Sequence, residues 1–160
     1  MVEFVKINED NYEAVLRLKV TDEQNEGKFI APNVRSIADA YLYREAGDVF
    51  PYAVQDGEAV VGFILLDEDE EEKELMIWRM MVDKDYQGQG YGRAIVEKVM
   101  EMFESDDRFD VLIADYVKGN DVMGKLLRSL GFEEQEFDGE NNEHVMKFGK
   151  NIKYFQRENE

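Results

Sequence analysis

The chain has 160 residues, of which 37 are Asp or Glu and 19 are Lys or Arg, so its formal net charge at pH 7 is −18. This length fits one domain, and the charge argues against a nucleic-acid partner, because such partners need Lys and Arg to displace phosphate counterions. The chain contains no cysteine, which excludes disulfides, thiolate metal sites and mechanisms that pass an acyl group through an enzyme thiol.

The first third of the chain predicts one strand and two helices. Residues 2–7 alternate apolar and polar side chains, which is typical of a strand. Asn8 is a suitable N-cap for a helix that contains Val15, and a second helix is predicted from Asn33 to a stop at Gly47. The polar residues 21–30 between the two helices are predicted to form a loop.

The middle of the chain predicts three strands. Asp56-Gly57 is a strong hairpin signal, because a type I′ turn requires positive φ at both of its central residues. We expect strands at residues 52–55 and 59–66 on either side of this turn. The acidic run at residues 67–74 is predicted to be a solvated loop, and a third strand follows at residues 75–82.

The second half predicts a helix after Gly92, a β-type run at residues 110–116, a short helix at residues 120–130, and strands at residues 132–137 and 144–148. Together these elements predict a single-domain α/β fold. Its sheet is expected to be mixed, mainly antiparallel and six- to seven-stranded, with about four flanking helices. Residues 1–150 form this domain, and residues 151–160 are predicted to be a polar tail.

Signals for export, membrane insertion and metal binding are weak. The first six residues lack the long apolar region of a signal peptide, and no apolar run approaches the length of a membrane-spanning helix. We therefore expect a cytoplasmic protein with no membrane partner. The lone histidine, His144, cannot complete a typical zinc site, so no metal is predicted.

The most informative segment runs from Met80 to Phe103. An apolar strand leads into the sequence Gln-Gly-Gln-Gly-Tyr-Gly at residues 87–92, and an amphipathic helix follows, with Ile95, Val99 and Phe103 on its apolar face. Glycines let the backbone approach an anion closely, and the helix N-terminus presents N–H groups to the same place. This order predicts a pyrophosphate site; the alternative is a glycine-rich turn that merely precedes a core helix.

Gln87, Gly90 and Gly92 fill the pattern Gln/Arg-x-x-Gly-x-Gly/Ala, and the segment therefore resembles the acetyl-CoA-binding motif of the GNAT superfamily of N-acetyltransferases. The resemblance extends upstream to residues 60–64, which look like the family's third strand. It extends downstream to residues 119–132, which look like its second cofactor motif. Within the family, Ala31-Pro32-Asn33 makes the chain most similar to the bacterial spermine/spermidine (diamine) acetyltransferase group.

This resemblance implies the GNAT fold, acetyl-CoA as cosubstrate and no metal. It implies that the strand residues Met80, Met81 and Val82 lie along the pantetheine arm and that Asn120 bonds the arm from the opposite side. The pyrophosphate is expected to lie on the loop residues Gln87, Gly88, Gln89, Gly90, Tyr91, Gly92 and Arg93.

Two positions depart from the family pattern. Trp78 stands where polyamine acetyltransferases commonly have an acidic residue, and Leu127 stands where the family has a tyrosine that protonates the departing thiolate. As substitutes we predict Glu74 as a base that acts through water and Tyr116 as the acid. The alternative roles are a solvated acidic run for Glu74 and core packing for Tyr116.

The acceptor predicted by the resemblance is a small cationic amine, with polyamines first. Glu23, Glu26 and Asp39 are candidates to bind its distal charge, although surface solvation also explains them. The strong acidity of the chain is compatible with attraction of a cation and equally with simple solubility. Acetylation of an aminated antibiotic or a protein amino group, and an acyl-CoA-sensing domain with little turnover, are the alternative functions. A homodimer is compatible with the resemblance.

Overall fold

In the computed structural model, which describes residues 1–150, the chain forms five helices and eight strands. The helices are α1 (Tyr12–Arg17), α2 (Asp22–Glu26), α3 (Asn33–Leu42), α4 (Tyr91–Ser105) and α5 (Asp121–Ser129). The strands are β1 (Glu3–Lys6), β2 (Val49–Asp56), β3 (Ala59–Asp69), β4 (Glu74–Val82), β5 (Val111–Ala114), β6 (Tyr116–Val117), β7 (Glu133–Asp138) and β8 (Glu143–Gly149). The predicted tail at residues 151–160 lies outside the described residues.

All eight strands belong to one mixed sheet, in which β1, β2, β3, β4, β5 and β8 lie side by side. β5 and β6 pair with successive parts of β8, and β7 pairs with β8 as a hairpin. β4 and β5 are parallel, whereas the other strand pairs in this sheet are antiparallel. The predicted mixed, mainly antiparallel α/β fold is therefore confirmed.

The sheet separates two apolar cores, because alternate residues of a strand point to opposite faces. On one face Ile64 packs with Ile95 and Phe103 of α4, and on the other face Phe63 packs with Val15 of α1 and with α3. The five side chains named here are fully buried. Residues 1–150 contain no helix that is both long and apolar enough to cross a membrane.

The prediction of a loop at residues 21–30 is wrong for its first half, where α2 forms. A capping box stabilises this short helix. The Thr21 hydroxyl accepts a hydrogen bond from the backbone N–H of Gln24 at 3.2 Å, and Oε1 of Gln24 accepts one from the backbone N–H of Thr21 at 3.1 Å. Thr21 and Gln24 have the spacing of this motif, which the loop prediction overlooked.

Two helix boundaries also differ from prediction. The N-cap position of α1 is Asn11 and not Asn8, and the Asn11 side chain makes no capping hydrogen bond. The Asn8 side chain accepts a hydrogen bond from the backbone N–H of Asn11 at 3.2 Å. α3 ends at Leu42, well before Gly47, and the residues between them form turns. Local sequence signals placed these helices correctly but misjudged where each begins or ends.

The acidic run at residues 67–74 is a loop only in part. β3 continues to Asp69 and β4 begins at Glu74, and these two residues are paired across the hairpin. Residues 70–73 alone form the connecting turn. Hydrogen bonds between the strands thus extend the sheet into a segment whose composition suggested solvent.

Candidate active site

A cavity of about 730 Å³ opens where β4 and β5 separate. The two strands pair from Glu74–Val111 to Ile77–Ala114, and β4 then continues to Val82 with β3 as its one strand neighbour among the described residues. These five further residues, at about 3.3 Å each, make an open edge roughly 16 Å long. α4 begins beyond one end of this edge, while β6 and the β7–β8 hairpin border the other end.

The loop between β4 and α4 adopts a backbone that only glycine enters readily. Gly88 and Gly90 have φ values of 75° and 89°. A Cβ added to either residue would meet no atom within 4 Å, so the space over the loop is open. Gly90 is also the N-cap of α4, which places the first N–H groups and the positive dipole end of that helix at the loop. Such an arrangement suits a phosphate group.

Gln87 fixes the start of the loop with two hydrogen bonds. Its Nε2 donates to the carbonyl of Val82 at 3.0 Å and to Oε1 of Gln24 at 2.9 Å. The first bond ties the loop to the end of β4, and the second ties it to α2. Gln24, Lys28 and Phe29 also line the cavity, so the segment at and after α2 forms one of its walls.

The residues that the sequence predicts for acetyl-CoA lie together, with one exception. Gln89 is exposed and its side chain donates to the carbonyl of Asp85 at 3.3 Å, and it is not among the cavity-lining residues of the described chain. The other predicted residues line the cavity: Met80, Met81, Val82, Gln87, Gly88, Gly90, Tyr91, Gly92, Arg93 and Asn120.

Arg93 and Asn120 are held in place from the helices on either side of the cavity. Arg93 donates through Nη2 to the Ser129 hydroxyl at 2.6 Å and lies 3.3 Å from Glu97, so its charge stays beside the first turn of α4. The side-chain oxygen of Asn120 accepts a hydrogen bond from the backbone N–H of Met123 at 3.4 Å and caps α5. The Asn120 amide nitrogen is not used by this cap.

The opposite end of the cavity carries three carboxylates that the sequence analysis did not select: Asp115, Asp138 and Glu143. Asp115 directly follows Ala114, the last residue of β5 that pairs with β4. Asp138 and Glu143 are paired across the β7–β8 hairpin, and Asp138 accepts a hydrogen bond from Nδ2 of Asn141 at 2.7 Å. The sequence contains one indication that Asp115 is a functional residue, because it is the one charged residue in an otherwise apolar run at residues 111–117.

Asp115 is an unusual carboxyl group. Its Oδ1 is buried and has no hydrogen-bond partner among the described residues. Burial, reinforced by the negative charge of Glu143, raises the pKa of Asp115 from 3.8 to about 6. Burial and the charge of Asp138 likewise raise the pKa of Glu143. A cation bound in the cavity would offset the repulsion between these carboxylates. Residues 1–150 contain no group of three or more carboxylate or histidine side chains arranged to hold a metal ion.

Tyr116, the predicted acid, lines the cavity beside Asp115 and is 7% exposed. Its ring stacks on His144, with 4.8 Å between the ring centroids. Its hydroxyl oxygen accepts a hydrogen bond from Nη2 of Arg128 at 2.9 Å, and α5 packs closely above it at Gly124. The structure therefore brings Tyr116 to the cavity that also contains the predicted acetyl-CoA residues.

Three other predicted residues lie elsewhere. Glu74 is at the far end of β4 from the glycine loop, where its carboxylate lies 3.6 Å from Nζ of Lys147. Glu23 and Glu26 are exposed on α2. In the described part of the chain, none of these three is among the residues that line the cavity.

Asp39, the remaining predicted substrate residue, binds an arginine of the cavity wall. Its Oδ2 lies 2.6 Å from Nη1 of Arg79, and its Oδ1 lies 3.1 Å from Nε of Arg35. The hydrogen bond from Arg79 is the main cause that lowers the pKa of Asp39. Arg79 lines the cavity and Asp39 does not appear in the described lining. The geometry thus gives Asp39 a role in positioning Arg79.

The two departures from the family pattern have structural roles. The pairing of β3 with β4 shifts between Leu65 and Leu66, which leaves Trp78 as the extra residue of a β-bulge. Trp78 lines the cavity and packs against Tyr43, with 6.1 Å between the rings. Leu127 belongs to α5, and its side chain is fully buried in the core. Neither side chain is able to transfer a proton.

The profile of the acetyltransferase (GNAT) family matches residues 11–132 of this chain. An N-acetylaspartate synthetase of Xenopus tropicalis is 30% identical over 95 residues, which are 59% of this chain and 34% of that protein. The chain thus spans about a third of the length of this curated relative.

Two solved structures share the fold at low sequence identity. A ribosomal-protein alpha-N-acetyltransferase in complex with coenzyme A superposes with a TM-score of 0.76 and 13% identity, over 92% of this chain and 93% of that chain. Spermidine N-acetyltransferase from Vibrio cholerae, in complex with coenzyme A and spermine, gives a TM-score of 0.69 and 11% identity, over 91% of this chain and 92% of that chain.

Proposed function

This chain belongs to the acetyltransferase (GNAT) family, and we propose that it moves an acetyl group from acetyl-CoA to a primary amine of a small cation, with polyamines as the first candidates. The transfer is direct, in a ternary complex, because a chain without cysteine offers no thiol to carry the acyl group. One observation carries the proposal: a single cavity has the glycine loop at one end and three carboxylates at the other.

The features of the glycine-loop end fit coenzyme A. The positive φ values of Gly88 and Gly90, the open space above them and the N-terminus of α4 together support binding of the pyrophosphate. The open edge of β4 from Met80 to Val82 has main-chain N–H and C=O groups that match the amides of the pantetheine arm. When bound, acetyl-CoA supplies the activated acetyl group as a thioester.

The carboxylate end supports a cationic acceptor. Asp115, Asp138 and Glu143 line this end. Burial, and after it the charge of a neighbouring carboxylate, raises the pKa values of Asp115 and Glu143, and a bound ammonium group would offset both effects. The net charge of −18 attracts cations from solution. An acidic acceptor such as aspartate would be repelled here. A polyamine, with several ammonium groups on an apolar chain, suits both the carboxylates and the apolar walls.

The amine must lose a proton before it attacks the thioester. For an amine of pKa about 10.4 this costs roughly 4.6 kcal/mol at pH 7, so a base is expected. The ion pair with Lys147 favours a structural role for Glu74. We propose Tyr116 as the acid for the departing sulfur, because this residue lines the cavity and its hydroxyl receives a hydrogen bond from Arg128.

Two alternatives each have an observation in their favour. The similarity to a ribosomal-protein alpha-N-acetyltransferase favours a protein amino group as acceptor, and an aminated antibiotic would satisfy the same carboxylates. The absence of a proton-transfer group at Trp78 and Leu127 favours an acyl-CoA-sensing domain with little turnover.

Release of coenzyme A thiol from acetyl-CoA separates these functions when it is measured with a panel of amines. The panel contains spermidine, a diamine, an aminoglycoside, a peptide with a free N-terminus and aspartate. We expect the highest kcat/KM with spermidine or the diamine and the lowest with aspartate. Highest kcat/KM with the peptide or the aminoglycoside would favour the second function, and coenzyme A binding without turnover would favour the sensing domain.

A further inference from the structure

We propose that Asp115 is the general base that takes the proton from the attacking amine, a role that rests on the proposed function. Two independent features lead to this residue. It directly follows Ala114, at the point where β4 and β5 separate and the cavity begins. Its Oδ1 is a buried acceptor with no hydrogen-bond donor among the described residues.

The position of Asp115 suits contact with the reacting atoms. An acyl donor whose pyrophosphate lies at the glycine loop and whose arm follows the open edge of β4 carries its thioester toward Ile77, where that edge ends. Asp115 is the first residue of the facing strand beyond the Ile77–Ala114 pair. It therefore borders the space where the amine and the thioester have to meet.

The other carboxylates of the cavity are less suitable. Asp138 is engaged by the turn after β7, where it accepts hydrogen bonds from the backbone N–H groups of Glu140 and Asn141 and from the Asn141 side chain. Glu143 pairs with Val117 and so lies further along the sheet from the separation point. We assign these two residues to binding the charge of the acceptor.

The charges around Asp115 favour a proton acceptor that works near neutral pH. Burial is the main cause that raises its pKa, and Glu143 on β8 and Asp138 on β7 raise it further, whereas Lys147 and the backbone N–H of Met146, both on β8, lower it. The net result, about 6, leaves most of the group ionised at pH 7. It is also closer to the pKa of an amine than that of an ordinary aspartate, which eases the proton transfer.

The step balances in atoms and charge. The ammonium nitrogen gives one proton to the Asp115 carboxylate, and its freed lone pair forms the bond to the acetyl carbon. The carbon–sulfur bond breaks, and the electron pair leaves with sulfur. The nitrogen loses its second proton, which neutralises the departing thiolate through Tyr116, and Asp115 releases its own proton to solvent. The products are an N-acetylated amine, a thiol and one proton.

Asp115→Asn tests this role, with Glu136→Gln, which removes an exposed carboxylate of β7 that does not line the cavity, as the matched control. For Asp115→Asn we expect kcat to fall about 10²- to 10⁴-fold. Its residual rate should rise about tenfold per pH unit between pH 6.5 and 8.5, because only the deprotonated amine then reacts. Wild type and Glu136→Gln should show little change over that range. A flat profile and a kcat near that of wild type in Asp115→Asn would overturn the proposal.

Binding measurements separate a base from a simple counter-ion. By calorimetry we expect unchanged affinity of Asp115→Asn for coenzyme A, and a loss of less than tenfold for a diamine whose nitrogens carry three methyl groups and so have no removable proton. A loss of affinity for this analogue as large as the loss of kcat/KM, with kcat preserved, would make Asp115 a binding residue. If the wild type acetylates none of the amines, the proposed function fails first.

Discussion

Ile77 and Ala114 form the last residue pair between β4 and β5, and the cavity opens directly beyond them. On one side the unpaired edge of β4 continues to the glycine loop. On the other side Asp115 and then β6 turn toward the β7–β8 hairpin. A single break in strand pairing thus brings the glycine loop and a set of carboxylates to the same cavity.

Gly90→Val should weaken coenzyme A binding at least tenfold, because the side chain would occupy the space above the loop where phosphate oxygens approach. Calorimetry with coenzyme A measures the effect. Gly57→Val is the matched control, since Gly57 also has a positive φ of 59° and an open Cβ position but lies in the β2–β3 turn. If Gly90→Val and the wild type bind coenzyme A with equal affinity, the loop is not part of the binding site.

Glu143→Gln should raise KM for a polyamine about 3- to 30-fold and change kcat little, because it removes one of the charges that attract the acceptor. Steady-state kinetics at pH 7.5 with saturating acetyl-CoA measure both constants. Glu136→Gln is the control, since Glu136 is exposed on the neighbouring strand β7. If both variants raise KM equally, the net negative charge of the protein attracts the amine and the carboxylates of the cavity wall make no specific contribution.

Tyr116→Phe should lower kcat by about 10²-fold and leave coenzyme A affinity unchanged, because it removes the proposed proton donor and keeps the ring that stacks on His144. Arg128 retains Glu134 as a partner at 3.4 Å, so its charge is not left isolated. The readout is turnover at saturating acetyl-CoA and amine. An undiminished kcat would exclude Tyr116 from proton transfer.

Asp115→Asn should stabilise the fold at pH 8 and not at pH 4. Because folding raises the pKa of Asp115 from 3.8 to about 6, ionisation of this group opposes folding above pH 6, and the cost vanishes below pH 4. After allowance for solvent screening we expect a gain of about 1–2 kcal/mol at pH 8. Thermal unfolding at the two pH values measures it. Equal Tm values for variant and wild type at pH 8 would show that the carboxyl is not destabilised in the fold.

Asp39→Ala should destabilise the protein by about 1–2 kcal/mol, because it leaves the Arg79 guanidinium, whose side chain is 19% exposed, without its 2.6 Å partner. Glu23→Ala, on the exposed surface of α2, is the control and should leave Tm within about 1 °C of wild type. A higher KM for the amine with no loss of Tm in Asp39→Ala would instead support the sequence-based assignment of Asp39 to the acceptor.

The sequence was sufficient to place the glycine loop between a strand and a helix because its pattern is local. Gln87, Gly90 and Gly92 lie directly between β4 and α4, so the strand, the loop and the helix can be identified together in one short segment. Gly88 and Gly90 have positive φ, which glycine adopts readily. The hairpin at Asp56-Gly57 and the helix after Gly92 were likewise evident from short-range patterns.

The carboxylate end of the cavity could not be predicted in the same way, because it is formed by contacts between distant parts of the chain. Asp115 acquires its burial from the pairing of β5 and β6 with β8, and its electrostatic neighbours come from β7 and β8. Spacing along the sequence carries no information on this arrangement. Glu74 depends on long-range contacts in the same way, because its ion pair with Lys147 and its place outside the described cavity lining follow from the order of the strands.

Mass spectrometry of spermidine incubated with the protein and acetyl-CoA is a direct test of acetyl transfer to a cationic amine. We expect one N-acetylspermidine for each coenzyme A thiol released, at a rate that falls at least tenfold in Asp115→Asn. Thiol release without acetylated spermidine, or acetylation of aspartate in preference to spermidine, would contradict it.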